Sequence, residues 1–183
     1  YDNAPAQVQF DVETATAASG GGNGAIEVVH LTTRGLQYLG ETGNLAGVTN
    51  TTVVTITGGA LGADDCIVNN DIYFTSGDAS GTGGTITDYN GTSKVVTFTP
   101  AVSSAPASTD GYAIGPKVVI SGDGQGANVR CTVNSTGAIN ATAVIAGGNN
   151  YSNASITVIS NASQSNSFNP SPTAVLTPII GPK

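Results

Sequence analysis

The chain has no methionine and no tryptophan, one histidine, two cysteines and five basic residues among 183. Each shortage excludes something. A hydrolytic triad needs a base, and the one histidine, His30, sits beside Val28, Val29 and Leu31. A histidine in such a strand faces water or a neighbouring subunit. No catalytic residue is expected, and the chain is read as a non-enzyme. One histidine and two well-separated cysteines, Cys66 and Cys131, lack any zinc-ligand spacing. Two cysteines allow one disulfide but make no framework, and in a strand each also serves as a small buried hydrophobe. Five cations against twelve acids leave a net charge of −7 and no basic patch, so no nucleic-acid partner is expected. No run of about 20 apolar residues occurs, so no membrane-spanning helix is expected. Without tryptophan, and with six tyrosines, the chain has little with which to build an aromatic platform for sugars. No signal-peptide pattern opens it. It begins at Tyr1, which reads as a processed product or a piece of a longer polypeptide.

What remains is glycine, 25 residues of it, with Thr, Ser, Asn, Val and Ala. Short β-branched runs alternate apolar and polar residues, and Gly, Asn and Asp punctuate them. That is the pattern of half-buried strands and tight turns. The fold class expected is all-β, in antiparallel meander or sandwich modules. The chain is organised around residues 117–160, read as a four-stranded antiparallel meander whose turns fall at 122–126, 135–137 and 147–150. Residues 7–14 alternate well, with Val8, Phe10 and Val12 on one face and Gln7, Gln9, Asp11 and Glu13 on the other. Further strands are expected over 25–31, 51–57, 66–68, 72–74, 85–89, 94–99, 110–114 and 174–180, and residues 40–47 read as loop. Asn90-Gly91 between two β runs is a strong hairpin signal.

The glycine loops repeat. Residues 22–25 match 124–127, Arg34-Gly35 falls on Thr136-Gly137, and 50–57 match 153–160. The expected organisation is therefore a first meander (1–57), an inserted hairpin module (58–116), a second meander (117–160), and a linker with a terminal strand (161–183).

Few residues offer chemistry. Asp64, Asp65 and Asp71, with Asn69 and Asn70 between them, form the one dense group of hard oxygen donors and are a weak calcium candidate. They lack the spacing of a calcium loop, and Asp and Asn also favour turns by bonding their own backbone. Residues 122–126 are glycine-rich but lack the Lys-Ser/Thr and the helix of a phosphate-binding loop. No metal and no cofactor is expected. Seven Asn-x-Ser/Thr sequons occur, at Asn50, Asn90, Asn134, Asn140, Asn150, Asn153 and Asn161. On a secreted chain these are glycan acceptors.

Three stretches carry a family resemblance. VVISGDGQGANVRCTVNSTGAINATAVIAGGNNYSNASITVIS resembles a β module of contractile-tailed phage virion proteins. ITDYNGTSKVVTFTPAVSSAPASTDGYAIG resembles a hairpin repeat of phage tail-fibre and baseplate proteins. AVLTPIIGPK is similar to a strand of baseplate wedge proteins. The resemblance covers about half the chain and implies a structural virion role with no catalytic residues to carry over. The partners it implies are other copies of the chain and other virion subunits, in a homo-oligomer. The alternative expectation is a secreted, glycosylated subunit of an extracellular filament or adhesin. On either reading a terminal strand with an unguarded edge is expected to complete a neighbour's sheet. The assembly residues are then Val8, Phe10 and Val12, or Val175, Leu176 and Ile179.

Overall fold

The computed structural model describes residues 24–59, 61–159 and 174–181, and these form strands and turns with no helix. The strands are β1 (Ile26–Thr33), β2 (Glu41–Val48), β3 (Val53–Ile56), β4 (Asp71–Phe74), β5 (Gly83–Asn90) and β6 (Val95–Thr99). They continue as β7 (Gly111–Gly115), β8 (Lys117–Gly122), β9 (Gln125–Val133), β10 (Ile139–Asn149), β11 (Ala154–Ile159) and β12 (Val175–Ile180). The all-β expectation holds, and every ladder is antiparallel.

Six strands close into a barrel in the order β2-β3-β6-β5-β4-β7. Its core follows from alternation: Val54 and Ile56, Ile72 and Phe74, Val96 and Phe98, and Tyr112 and Ile114 are each two residues apart and buried. Phe74 and Phe98 meet edge to face with ring centroids 5.8 Å apart, worth roughly 1 kcal/mol beyond the area they bury. Closure removes the free edges that an open sheet of these strands would expose.

The other six strands form three two-stranded ribbons, β1–β12, β9–β10 and β8–β11. The ribbons pack in a ring, with β10 against β1, β12 against β11, and β8 against β9. Inside lies a second core that includes Ile26, Val29, Val129, Cys131, Ile139 and Leu176. Tyr151 plugs one end of this body. Its backbone N–H donates to the Gly24 carbonyl at 2.8 Å, and Gly124 and Gly148 pack against its ring so closely that a Cβ on either would collide with it. The β1–β12 ladder starts at the same end, where Ile26 faces Ile180 and the Gly181 N–H donates to the Ala25 carbonyl at 2.8 Å.

The expected division of the chain does not match this pairing. The barrel spans 41–115, so β2 and β3 belong to it and not to a first meander, while β1 belongs with β8 to β12. Nor is 117–160 a meander: β9 and β10 form a hairpin nested inside the β8–β11 pair. The corner at Asp123 explains the nesting. Its carboxylate accepts from the backbone N–H of Ser152 and of Asn153, both at 2.9 Å, which ties the start of β11 to the end of β8. The glycine match has a local cause. Gly24, Gly35, Gly126 and Gly137 all adopt positive φ, a backbone state in which glycine has no Cβ to clash. The strands beside those turns are nevertheless paired differently, since β1 joins β12 and β9 joins β10.

The chain crosses between the bodies twice, through residues 34–40 and at Pro116, and the junction is dense. The Asn70 side-chain amide donates to the Leu39 carbonyl at 2.8 Å, and the Cys131 thiol donates to the Pro116 carbonyl at 3.3 Å. The Tyr38 N–H donates to the Gly137 carbonyl at 2.9 Å. The Gly115 backbone presses on the Cys131 carbonyl so closely that any Cβ there would overlap it.

Candidate functional site

The Asp64, Asp65 and Asp71 carboxylates do not converge. Asp64 accepts from the Gly91 N–H at 2.7 Å, and Asp65 from the Tyr89 N–H at 3.3 Å. Asp71 accepts from the Thr85 hydroxyl at 2.8 Å and, through its other oxygen, from Arg130. Each oxygen set is used where it stands, and the calcium candidate is set aside. Among the described residues no group of three or more His, Cys, Asp or Glu side chains could hold a metal ion. Residues 66–68, read as a strand, lie in the turn between β3 and β4. Asp65 and Asn69 there take φ of 57° and 72°, left-handed values that Asp and Asn tolerate better than most residues.

Among the described residues Asp71 and Arg130 form the one ion pair. It crosses the junction, with side chains 3% and 13% exposed. The pair joins β4 of the barrel to β9 of the second body. Sequence spacing does not announce it, because the partners lie 59 residues apart. Nearby, burial pushes the Cys131 thiol up to about 12, with Asp71 adding to the effect. A thiol so protonated is a poor nucleophile. Cys66 lies in the barrel core and Cys131 in the other, and no disulfide joins them.

Tyr112 donates to Glu41 at 2.5 Å across the β2–β7 pair, and its phenol is raised by burial first and by that carboxylate second. The Tyr89 hydroxyl donates to the Leu61 carbonyl at 2.7 Å, and burial raises its pKa to about 12. Both phenols are buried and spent on internal acceptors. His30 is exposed on β1, opposite Thr177. No base stands beside a nucleophile in any of these groups. A polar cleft between the β4–β5 and β6–β7 loops is lined by Gly77, Asp78, Ala105, Pro106, Ala107 and Asp110. Within it, the Asp110 carboxylate accepts from the Ala107 N–H at 2.7 Å.

The sequons at Asn50 and Asn134 have a structural cause. Asn50 accepts from the Thr52 N–H at 2.8 Å and its hydroxyl at 2.9 Å. Asn134 repeats this with Thr136 at 3.0 and 2.7 Å and adds the Ala138 N–H at 3.0 Å. Asn90 accepts from the Thr92 and Ser93 N–H groups. These are Asx turns, in which the side-chain oxygen replaces a backbone acceptor two residues back. A threonine at i+2 is favoured by that bond itself. Asn140, Asn150 and Asn153 are exposed, and Asn161 lies outside the described residues.

The surface feature that stands out is apolar. The exposed large hydrophobics are Val175 (48%), Leu36 (43%), Ile159 (42%) and Ile179 (42%). They gather about β12. Val175 and Ile179 lie on its outward face, Ile159 ends the neighbouring β11, and Leu36 follows Thr33, the partner of Val175. Leu176, expected to take part in assembly, is buried in the second core. Strand 174–180 is paired with β1 of its own chain, so it is not a free donor strand. Val8, Phe10 and Val12 lie outside the described residues.

Comparison with protein-family models, with curated proteins and with solved structures found no match.

Proposed function

We propose that this chain is a non-enzymatic structural module, a baseplate- or fibre-associated part of a contractile phage tail. The observation that carries the structural role is the junction. The closed barrel and the second body are joined by two chain crossings, by hydrogen bonds from Asn70 to Leu39 and from Cys131 to Pro116 in those crossings, and by a buried ion pair. Such a joint suits a rigid spacer better than a cleft that opens and closes. The described ends, Gly24 and Gly181, emerge together beside Tyr151, while the crossings to the barrel sit at the other end of the second body. A module held at that end would present the barrel outward. The phage setting rests on the resemblance of the three sequence stretches. Partners on this reading are other copies of the chain and other virion subunits. Because the barrel is closed and β12 is paired at home, contact through faces is favoured over strand addition at an edge.

The test is peptide mapping of purified tailed-phage particles, together with the intact mass of the native protein. The chain's peptides in stoichiometric yield in the tail, without added sugar mass, support the proposal. Hexose increments at the sequons and absence from virions would replace it with the secreted filament subunit. Turnover of a glycan or peptide substrate that vanished in His30→Ala or Asp64→Ala would overturn the non-enzymatic reading.

A further inference from the structure

Asn90 ends β5 and Gly91 opens the turn to β6. Asn-Gly is the dipeptide in which a side-chain amide is most readily lost, because glycine puts no side chain in the way of its own nitrogen. The reaction needs only water. The Gly91 nitrogen bonds to Asn90 Cγ and gives its proton to solvent, Nδ2 takes up a proton and leaves as ammonia, and a five-membered imide remains. Water then opens one or the other imide carbonyl, giving aspartate or its β-linked isomer. One water is consumed, one ammonia is released, and nothing is oxidised or reduced. We infer that Asn90 is a deamidation site held shut in the folded chain, and that Asp64 is its latch.

Glycine is required at this turn. A Cβ on Gly91 would overlap the Gly62 carbonyl, so no larger residue can shield the nitrogen. What holds the site shut is backbone geometry. Asn90 pairs with Val95, and its carbonyl accepts from the Lys94 N–H at 2.8 Å. In extended backbone the following nitrogen is turned away from the side chain, so ring closure requires Asn90 to rotate out of the ladder. The Gly91 N–H donates to Asp64 Oδ1 at 2.7 Å, and that bond fixes the peptide plane that has to turn. The carboxylate is no base for this proton. A peptide N–H is far the weaker acid, and a negative charge so close opposes an anion developing on nitrogen. Asn90 Oδ1 accepts from the Thr92 and Ser93 N–H groups at 3.0 and 2.7 Å, which fixes the side chain over the turn. The loop that carries Asp64 is itself tied to the hairpin. The Leu61 carbonyl accepts from the Tyr89 hydroxyl at 2.7 Å and from Lys94 Nζ at 2.5 Å, and the Asp65 N–H donates to the Tyr89 carbonyl at 2.9 Å. Asn90 is exposed, so water enters and ammonia leaves once the turn opens.

The arrangement recurs at the other two Asx-Gly pairs among the described residues, Asp110-Gly111 and Asp123-Gly124. A Cβ on Gly111 would collide with Thr75, and one on Gly124 with the Tyr151 ring. There too the reacting groups are engaged: the Gly111 N–H donates to the Ser76 hydroxyl at 2.7 Å, and the Asp123 carboxylate accepts from the Ser152 and Asn153 N–H groups.

This latch is independent of the assembly reading, since it governs how long the folded chain keeps its covalent structure. The experiment is peptide mapping of the full chain after incubation in mildly alkaline buffer, scoring Asn90 for conversion to aspartate and its β-linked isomer. Amide hydrogen exchange at Gly91 and along β6 is followed in parallel. The folded, unaltered chain should convert at least about tenfold more slowly than the same chain in urea. Asp64→Ala should convert about tenfold faster than the unaltered chain, because the closed turn loses a bond to a charged acceptor. Exchange at Gly91 should quicken with it, while exchange along β6 stays unchanged. Asp64→Asn, which keeps an acceptor oxygen without the charge, should fall between the two. Conversion as fast in the folded chain as in urea would overturn the inference. So would equal or slower conversion in Asp64→Ala, the slower result making Asp64 a base for the reaction. Faster conversion accompanied by equally quickened exchange along β6 would mark global unfolding and overturn the latch as well.

Discussion

Replacing Arg130 with methionine removes one half of the ion pair that locks the two bodies together. Methionine roughly keeps the aliphatic stem, so the loss is mainly electrostatic. Asp71 then stays 3% exposed, with the Thr85 hydroxyl at 2.8 Å as its remaining side-chain donor. Breaking a buried pair by removing one partner typically costs about 3–5 kcal/mol, because the other charge is left uncompensated. Arg130 keeps 13% of its side chain in water, which places the expectation at the low end, about 3 kcal/mol. For a chain of this size that is roughly 6–12 °C in Tm. The second arm is Asp71→Asn in the same background. The amide oxygen still accepts from Thr85, and no charge is left buried. The double variant should therefore recover about 1–2 kcal/mol relative to Arg130→Met alone. Urea unfolding followed by far-ultraviolet circular dichroism reads all four corners of this cycle without needing a tryptophan. Losses that simply add to within about 0.5 kcal/mol would show the two side chains uncoupled and the joint held by its hydrogen bonds alone.

Other expectations follow from single positions. Gly115→Ala should destabilise severely, because its Cβ would overlap the Cys131 carbonyl; Gly62→Ala, with open space around it, should change the urea midpoint little. Asn134→Ala should lower stability by about 1–2 kcal/mol in the same assay through loss of the Asx turn, whether or not the residue is glycosylated. On the alkaline side, Tyr89 and Cys131 have folded pKa values of about 12 against ordinary values of 10.0 and 9.0. Raised values mean the native state holds these protons more tightly than the unfolded chain does. Stability should therefore be full below about pH 9 and fall as pH climbs to 12. Phenolate absorbance should show Tyr89 and Tyr112 ionising later than free tyrosine; a single transition at pH 10 with no loss of structure would refute the burial argument.

Much of the strand content was legible because it is written locally. The alternation in 94–99, the Asn90-Gly91 turn and the apolar run at 174–180 each sit in a window of a few residues, and β5, β6 and β12 follow them closely. Residues 40–47 looked like loop because Gly43, Asn44 and Gly47 dilute the pattern. They form β2 because β3 and β7 pair with them on both sides, and Gly43 lets the Tyr112 hydroxyl approach to within 3.1 Å of where a Cβ would stand. The division into bodies was not legible. Residues 34–40 carry no compositional signal of a boundary, and the partner that places β1 lies at the far end of the chain. The Asp71–Arg130 contact hides for the same reason. The sequons show the opposite hazard: a pattern plain in sequence, suggesting a modification, for which turn geometry alone is a sufficient cause at Asn50 and Asn134.

The pairing of β1 with β12 decides how the molecule bears load. Gly24 and Gly181 sit at the same end of an antiparallel ladder, so a pull on the two ends opens that ladder from one side. Antiparallel bonds run across the strands, and in this geometry they meet the force one pair after another. The β1–β12 ribbon is thus a zipper and the barrel a reserve. The barrel stays out of the line of tension until β1 has peeled away and the force reaches Gly40. Under stretching, the second body should yield first and at low force, paying out chain while the barrel remains closed.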